Sequence, residues 1–339
     1  MIRKPESFGI VKDTEVFLYT ISSDKLIARI SDFGATIVQL FYCDGDNRTK
    51  IVCGYDSVEP YIMNDSYMGA VVLPCANRTR NASFKLNDKE YHLQQNDGKN
   101  NLHSSLPDGS AQAIWSVENY ADNSLTLKLS YGDGELGFPG NRVFMVTYEI
   151  NNNELSISYS AISDQDSVFN PTNHSYFNLN GKGTVLDHEL KIYADNFTPN
   201  DSTSVPVGSI CPVENTPFDF REFKPIGKDI NQDHEQLIFG KGYDHNWLIN
   251  GFDGSVKLIA ELYSPANDLL LKTYTCCPGI QVYTANYLND DKYSYRDAVC
   301  LETQYTPDAI NLDNMVKPIL KAGKWCTLVT KYAISKKES

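Results

Sequence analysis

Three polar patches of this 339-residue chain hold residue types that can move protons or bind hydroxyl groups. The first is Gly98-Lys99-Asn100-Asn101-Leu102-His103-Ser104-Ser105, the second Asn170-Pro171-Thr172-Asn173-His174-Ser175-Tyr176-Phe177-Asn178, and the third Cys300-Leu301-Glu302-Thr303-Gln304 onward to Asn311. Amides and carboxylates bond hydroxyls while aromatic rings cover apolar C–H faces, so these mixtures suit a sugar. A carboxylate with an imidazole is also the minimum set for general acid–base chemistry. Glu302 follows the apolar run Ala298-Val299-Cys300-Leu301. A strand would carry it inward, and desolvation would raise its pKa unless donors compensate. The competing reading is an edge-strand glutamate facing water. Taken on composition alone, a hydrogen-bonded structural role is the commoner use of histidines such as His103 and His174. His92 reads as a face residue of an alternating strand, and His188 and His234 as solvated positions. The acidic neighbours of His188, His234 and His245 suit chance in an acidic chain better than metal ligation. No phosphate-cradling glycine loop, no GxSxG and no HExxH occurs. The chain therefore offers no nucleotide cradle, no serine-hydrolase elbow and no zinc helix, and no cofactor or metal is expected.

The elements that must position these patches are strands. Leu125, Leu127, Leu129 and Tyr131 alternate with Thr126, Lys128 and Ser130, and Leu155, Ile157, Tyr159 and Ala161 alternate with serines. Val256, Leu258, Ala260 and Leu262 repeat the pattern, as does the run from Trp325 to Ile334. Period-two alternation signals half-buried strands. Turn clusters such as Asp44-Gly45-Asp46-Asn47 and Asn151-Asn152-Asn153 separate them. Helical patterns are short, at 57–62 and 235–239, and 196–233 reads as a long irregular excursion of the functional kind. The expectation is an all-β chain, one large antiparallel β-sandwich domain over 1–339, with the site on its loops and concave face.

Thirty basic against 43 acidic residues give a net charge of −13, which excludes nucleic-acid backbones and disfavours anionic membranes. The start lacks the apolar run of a secretory signal, and no stretch reaches the roughly 18 apolar residues of a membrane span. Eight cysteines without a CxxC pair fit reduced thiols in the cytoplasm. Seven Asn-x-Ser/Thr triplets, among them Asn64, Asn77 and Asn173, read as accidents of an Asn-rich chain.

Seven strings in register resemble the aldose 1-epimerase (galactose mutarotase) family: Phe33-Gly34-Ala35-Thr36-Ile37, Ala76-Asn77-Arg78, Asn101-Leu102-His103, Asn173-His174-Ser175-Tyr176-Phe177-Asn178-Leu179, Tyr243-Asp244-His245-Asn246, Pro278-Gly279-Ile280-Gln281 through Asn286, and Glu302-Thr303-Gln304 through Asn311. The resemblance implies a β-supersandwich with an open cleft and anomer interconversion of free hexoses. It makes Glu302 the general base and His174 the general acid. Asn77, Arg78, His103, Tyr176, Asp244 and Gln281 become sugar-binding or orienting residues, and His245 a structural neighbour. It also implies a small-molecule sugar as the only partner and a monomer or simple homodimer. Two departures stand out: Leu73-Pro74-Cys75 where the family often has Gly-Arg, and Ser104-Ser105 where glycines are common. They put sugar preference and loop shape in doubt rather than the reaction. The packing of Cys75 is the expected role of that thiol.

Ring opening needs a base on the C1 hydroxyl and an acid on the ring oxygen. An ordinary glutamate is ionised at neutral pH. His174 would have to start protonated, helped by a nearby carboxylate. The alternatives are a hexose 6-phosphate epimerase, needing a basic cluster for which Arg78 and Arg80 are the only close pair, and a non-catalytic sugar-binding module.

Overall fold

The computed structural model describes residues 3–63, 65–104 and 109–337, so Asn64 and Ser105 lie outside the described residues. Strands hold 45% of the chain and helices 8%, and every ladder between the strands of the three large sheets is antiparallel. The expected all-β architecture is what forms.

The alternating segments build a nine-stranded sheet. Ser116–Tyr120, Ser124–Tyr131, Arg142–Asn151 and Glu154–Ser163 run on as a meander, and the C-terminal strand Cys326–Lys336 joins next to them. Leu269–Thr275, Lys257–Ser264, Glu189–Ile192 and Lys224–Pro225 complete it. Leu125, Leu127, Leu155, Ile157, Tyr159 and Ala161 are all buried on one face, as their spacing requires. The run around Val256 departs from its reading. The register shifts between Leu258 and Ala260, so Ile259 and Ala260 are both buried while Val256 is exposed. One extra residue in a strand resets the side-chain phase.

A six-stranded sheet lies on this one, ordered Tyr176–Phe177, Val299–Gln304, Gly279–Tyr283, Asp244–Leu248, Asn196–Thr198 and Cys211–Pro212. Its contact with the first sheet is explicit. The Phe177 and Tyr332 rings sit 4.9 Å apart, the Tyr332 hydroxyl donates to the Leu301 carbonyl at 3.0 Å, and Thr303 bonds Thr330 through their hydroxyls. Leu301 and Thr303 therefore face the sandwich interior, and alternation turns Cys300 and Glu302 to the opposite face. A five-stranded N-terminal sheet from Glu6–Val11 to Asn47–Lys50 packs against the meander, with Tyr19 and Tyr120 edge to face at 5.2 Å.

Both short helices form, Glu59–Met63 and Glu235–Gly240, and the excursion at 196–233 holds three brief strands and one 3-10 turn, Ile226–Lys228. All eight cysteines are free, and the Cys75 thiol sits in an apolar cluster with Phe84, Phe138 and Ile310. Asn77 and Asn173 are buried, which bars a glycan from either amide. Two histidines differ from their expected solvated state. His234 caps the helix Glu235–Gly240 by accepting from Gln236 N–H. His188 is fully buried, its Nε2 accepting the Leu179 amide at 3.1 Å, because the strand it precedes runs inside the large sheet.

Burial pushes the His188 pKa down to about 4, so between that value and the unfolded value of roughly 6.5 the unfolded chain binds more protons. The stability His188 contributes is complete above the upper value and drains away as pH falls toward the lower one. Urea midpoints measured at neutral and mildly acid pH should fall less in His188→Gln, whose amide oxygen can still accept from Leu179, than in the parent. Equal falls in the two proteins would remove His188 as a cause.

Candidate active site

Glu302 reaches the site because its strand lies second in the six-stranded sheet, not at an edge. The side chain is 2% exposed, at the floor of a cleft of about 350 Å³. Cavities of that size suit a small organic ligand. His174 arrives from the other wall. Its amide donates to Ala70 O and its carbonyl accepts from Gly69 N–H, both at 2.9 Å. Gly69 must be glycine there: its φ is +69°, and a Cβ would meet Ile37 O at 2.2 Å. The imidazole Nε2 then stands 3.6 Å from Glu302 Oε1, and the ring stacks on Tyr176 at 5.1 Å. The other carboxylate oxygen, Oε2, is buried without a hydrogen-bond partner, an unmet acceptor at the cleft floor.

His103 is held differently. The pair Arg78–Thr79 with Asn101–Leu102 brings its loop beside Asn77. His103 N–H donates to Asn77 O at 3.0 Å, and Asn77 N–H donates back to His103 Nδ1 at 3.1 Å. Both residues take left-handed backbone to close this clamp, φ +62° and +54°. The bond fixes the chemistry. Nδ1 is spent as an acceptor, so the neutral ring carries its proton on Nε2, and an imidazolium would set one N–H against another. His103 is thus a neutral donor to the cleft. Desolvation, then His174 and Arg78, push its pKa well down, in agreement.

The same bond bears on metals. His103, His174 and Glu302 offer ligand atoms within 4.8 Å of one another. A ligating histidine normally donates through its outer nitrogen, and that of His103 accepts. The donor set suits hydrogen bonding to hydroxyls better than a cation.

Arg78 is the only Lys or Arg among the described residues lining the cleft. Its Nε bonds Asp97 at 2.7 Å, and Nη1 lies 3.9 Å from Asp244. Burial works against its charge, but Asp244 and Asp97 outweigh that. Gln281 does not line the cleft; its Nε2 donates to Asp244 Oδ1 at 2.7 Å and so orients that carboxylate. The Tyr176 hydroxyl is committed to Ser66 O at 2.9 Å, leaving its ring as a platform for His174. Asn77 lines the cleft, yet its clearest contribution is through its backbone to His103. His245 is fully buried against Phe218 and plays the structural part expected of it. Arg80 is drawn away to Asp201 at 2.8 Å and Asp308 at 3.6 Å.

Sequence reading missed Asp97, Tyr67 and Cys300. Asp97 in Asn96-Asp97-Gly98 looks like any solvated turn, and Tyr67, 4.4 Å from the His103 ring centroid, sits in no pattern. Cys300 had a signal, its two-residue offset from Glu302 on one strand. The two departures meet each other: Ser104 Oγ accepts the Cys75 amide at 2.9 Å and donates to Cys75 O at 2.8 Å, tying the Asn77 loop to the His103 loop.

Protonation in the cleft runs against the simple expectation. Desolvation, then Asp244, holds the Glu302 carboxyl well above the usual range, with Arg78 opposing. Desolvation takes His174 down to about 4. Burial thus works against the charge on both groups and favours the acid and the neutral ring, whereas the expectation had an ionised glutamate beside an imidazolium.

The sequence pattern that defines the aldose 1-epimerase family matches residues 18–333. The chain is 35% identical over 316 residues to galactose mutarotase of Bos taurus, covering 90% of each. It is 32% identical over 319 residues to aldose 1-epimerase of Escherichia coli, covering 91% of each. Among solved structures it is similar to galactose 1-epimerase from Lactobacillus acidophilus, with a TM-score of 0.87, 25% identity and 99% of each chain covered.

Asp244→Asn removes a negative charge that raises the Glu302 pKa. Carbon-13 titration of labelled glutamate side chains should show the outlying carboxyl of the parent moving to lower pH in that variant. An unmoved carboxyl would mean that Asp244 does not act on Glu302.

Proposed function

This chain belongs to the aldose 1-epimerase family, whose members act on carbohydrates as isomerases, and on that premise we propose that it interconverts the α and β anomers of free hexoses. Galactose comes first among the candidates, as the sugar in the names of several relatives, with glucose beside it. Glu302 acts as base and His174 as acid. The observation that carries the reading is the carboxyl and imidazole 3.6 Å apart on a desolvated cleft floor.

The sugar enters with C1 toward Glu302. The carboxylate takes the proton of the C1 hydroxyl, the electrons of that O–H bond form the carbonyl, and the C1–O5 bond breaks. O5 takes its proton from His174 Nε2. After rotation about C1–C2 the steps reverse, and the ring closes on the other face. Glu302 and His174 together hold one exchangeable proton before and after each step. The acid with neutral imidazole and the carboxylate with imidazolium are thus two forms of one protonation level. The Nε2–H of His103 and the guanidinium of Arg78 steady charge on the sugar oxygens, a preorganised electrostatic role. Asp244, aligned by Gln281, accepts from sugar hydroxyls and supplies discrimination. All these groups come from one chain, so a monomer suffices, and eight free thiols suit a reducing compartment such as the cytosol.

A phosphorylated sugar finds little support. Among the described residues Arg78 is the single Lys or Arg in a cleft that also holds Asp65, Asp244, Asp290 and Glu302, and Arg80 is engaged elsewhere. A dianion needs a cluster of donors.

Polarimetry on freshly dissolved α-D-galactose, with the spontaneous rate subtracted, should show acceleration by the parent protein. Glu302→Gln and His174→Asn should each lose about 10²–10⁴-fold in kcat, and the double variant little more, because the two act in one cycle. Full activity in Glu302→Gln would refute the base. Arg80→Ala should leave free-hexose turnover unchanged.

A further inference from the structure

Resting on the roles proposed for Glu302 and His174, we propose that Cys300 is a positioning residue: its sulfur accepts the Nδ1–H of His174 and thereby commits Nε2 to exchanging the proton with the sugar. The geometry starts from the strand Val299–Gln304, where Cys300 and Glu302 are two residues apart and share the cleft face. The His174 ring lies across both. Its Nδ1 is 3.5 Å from Cys300 Sγ, and its Nε2 is 3.6 Å from Glu302 Oε1. One strand thus supplies a partner for each ring nitrogen. The ring is also fixed in plane by Tyr176, stacked at 25°, with Tyr283 edge to face at 6.1 Å.

The chemistry requires an acceptor at Nδ1. When imidazolium gives its Nε2 proton to the ring oxygen, the neutral ring left behind carries Nδ1–H and a bare Nε2. On ring closure Nε2 takes the proton back. Nδ1–H persists through both states, so its partner must accept in both. A thiol sulfur is a weak acceptor. It satisfies the N–H while adding little stabilisation to the imidazolium, whereas a carboxylate there would hold the charged ring and oppose proton release. The thiol itself stays protonated, since burial and then Glu302 push its pKa up. His103 shows the opposite arrangement: its Nδ1 accepts from a backbone amide, which forbids the charged state. The two histidines are therefore sorted by their outer partners, one to carry a proton and one to donate a fixed hydrogen bond.

The test uses the full chain labelled with nitrogen-15 histidine, as parent, Cys300→Ala and Cys300→Ser, with long-range nitrogen–proton correlation spectra beside polarimetry on galactose. In the parent, His174 should appear as the Nδ1–H tautomer and His103 as Nε2–H. Cys300→Ala should shift His174 toward Nε2–H and lower kcat roughly fivefold to tenfold at nearly constant KM, the scale of one neutral hydrogen bond. Cys300→Ser, whose hydroxyl also accepts, should restore the Nδ1–H form and most of kcat. An Nε2–H His174 in the parent overturns the proposal. So does an unchanged tautomer and kcat in a folded Cys300→Ala, or a folded Cys300→Ser that rescues neither. A parent without mutarotase activity but with His174 as Nδ1–H would refute the acid–base reading and support the hydrogen bond by itself.

Discussion

A carboxyl and an imidazole 3.6 Å apart, both shut off from water, set the terms for everything around them. Each charge alone would cost several kcal/mol to bury. Their mutual attraction offsets about 4 kcal/mol at a protein-like effective dielectric. The pair is therefore stable either uncharged or doubly charged, and poorly stable with one charge. That constraint favours a single exchangeable proton shared within the pair, which is what the proposed opening and closing of a sugar ring demands.

The sheets exist, in functional terms, to hold that floor still. Phe177, Leu301 and Thr303 lock the six-stranded sheet onto the large one, so alternation puts Cys300 and Glu302 on the opposite face, Glu302 at the cleft floor and Cys300 buried beside it under His174. The loops supply what strands cannot. Left-handed backbone at Asn77 and His103 brings an amide onto an imidazole nitrogen, and Gly69 lets the segment that holds the His174 backbone lie against Ile37. Arg78 gathers the remaining polarity, pinned by Asp97 while facing Asp244.

Much of this was legible in the sequence, and the reasons differ from residue to residue. Alternation in Leu125–Tyr131 and Leu155–Ala161 announces strands because a half-buried strand has no other economical pattern. The bulge at Ile259 is invisible to the same rule, since it changes phase without changing composition. Glu302 and His174 stand out through strings in register with a family; the upward shift of Glu302 follows from the apolar run before it, while the downward shift of His174 has no local signal, because its burial is a property of the packed sheets. Tyr176 and Gln281, expected to bind the sugar, instead contact other site residues: Tyr176 stacks on His174, and Gln281 donates to Asp244 from outside the cleft lining. Asp97 and Tyr67 carry no local signal, because a turn aspartate and a loop tyrosine gain meaning only from the partner brought to them. His188 reads as solvated from its acidic neighbours for the same reason in reverse, since its burial comes from the packed sheet.

The measurement that bears most directly on the shared proton is the pH profile of kcat/KM for galactose mutarotation, with the spontaneous rate subtracted at each point. Independent, unperturbed groups would be active only between about 4.3 and 6.5, and the rate would drop about tenfold per pH unit above the upper value. A pair in which His174 is held down to about 4 and Glu302 is held well up keeps its proton across that boundary. The profile should therefore stay level as pH rises through the ordinary histidine pKa of about 6.5. A tenfold-per-unit fall beginning near that value would contradict the account, whatever the protein's rate at its optimum.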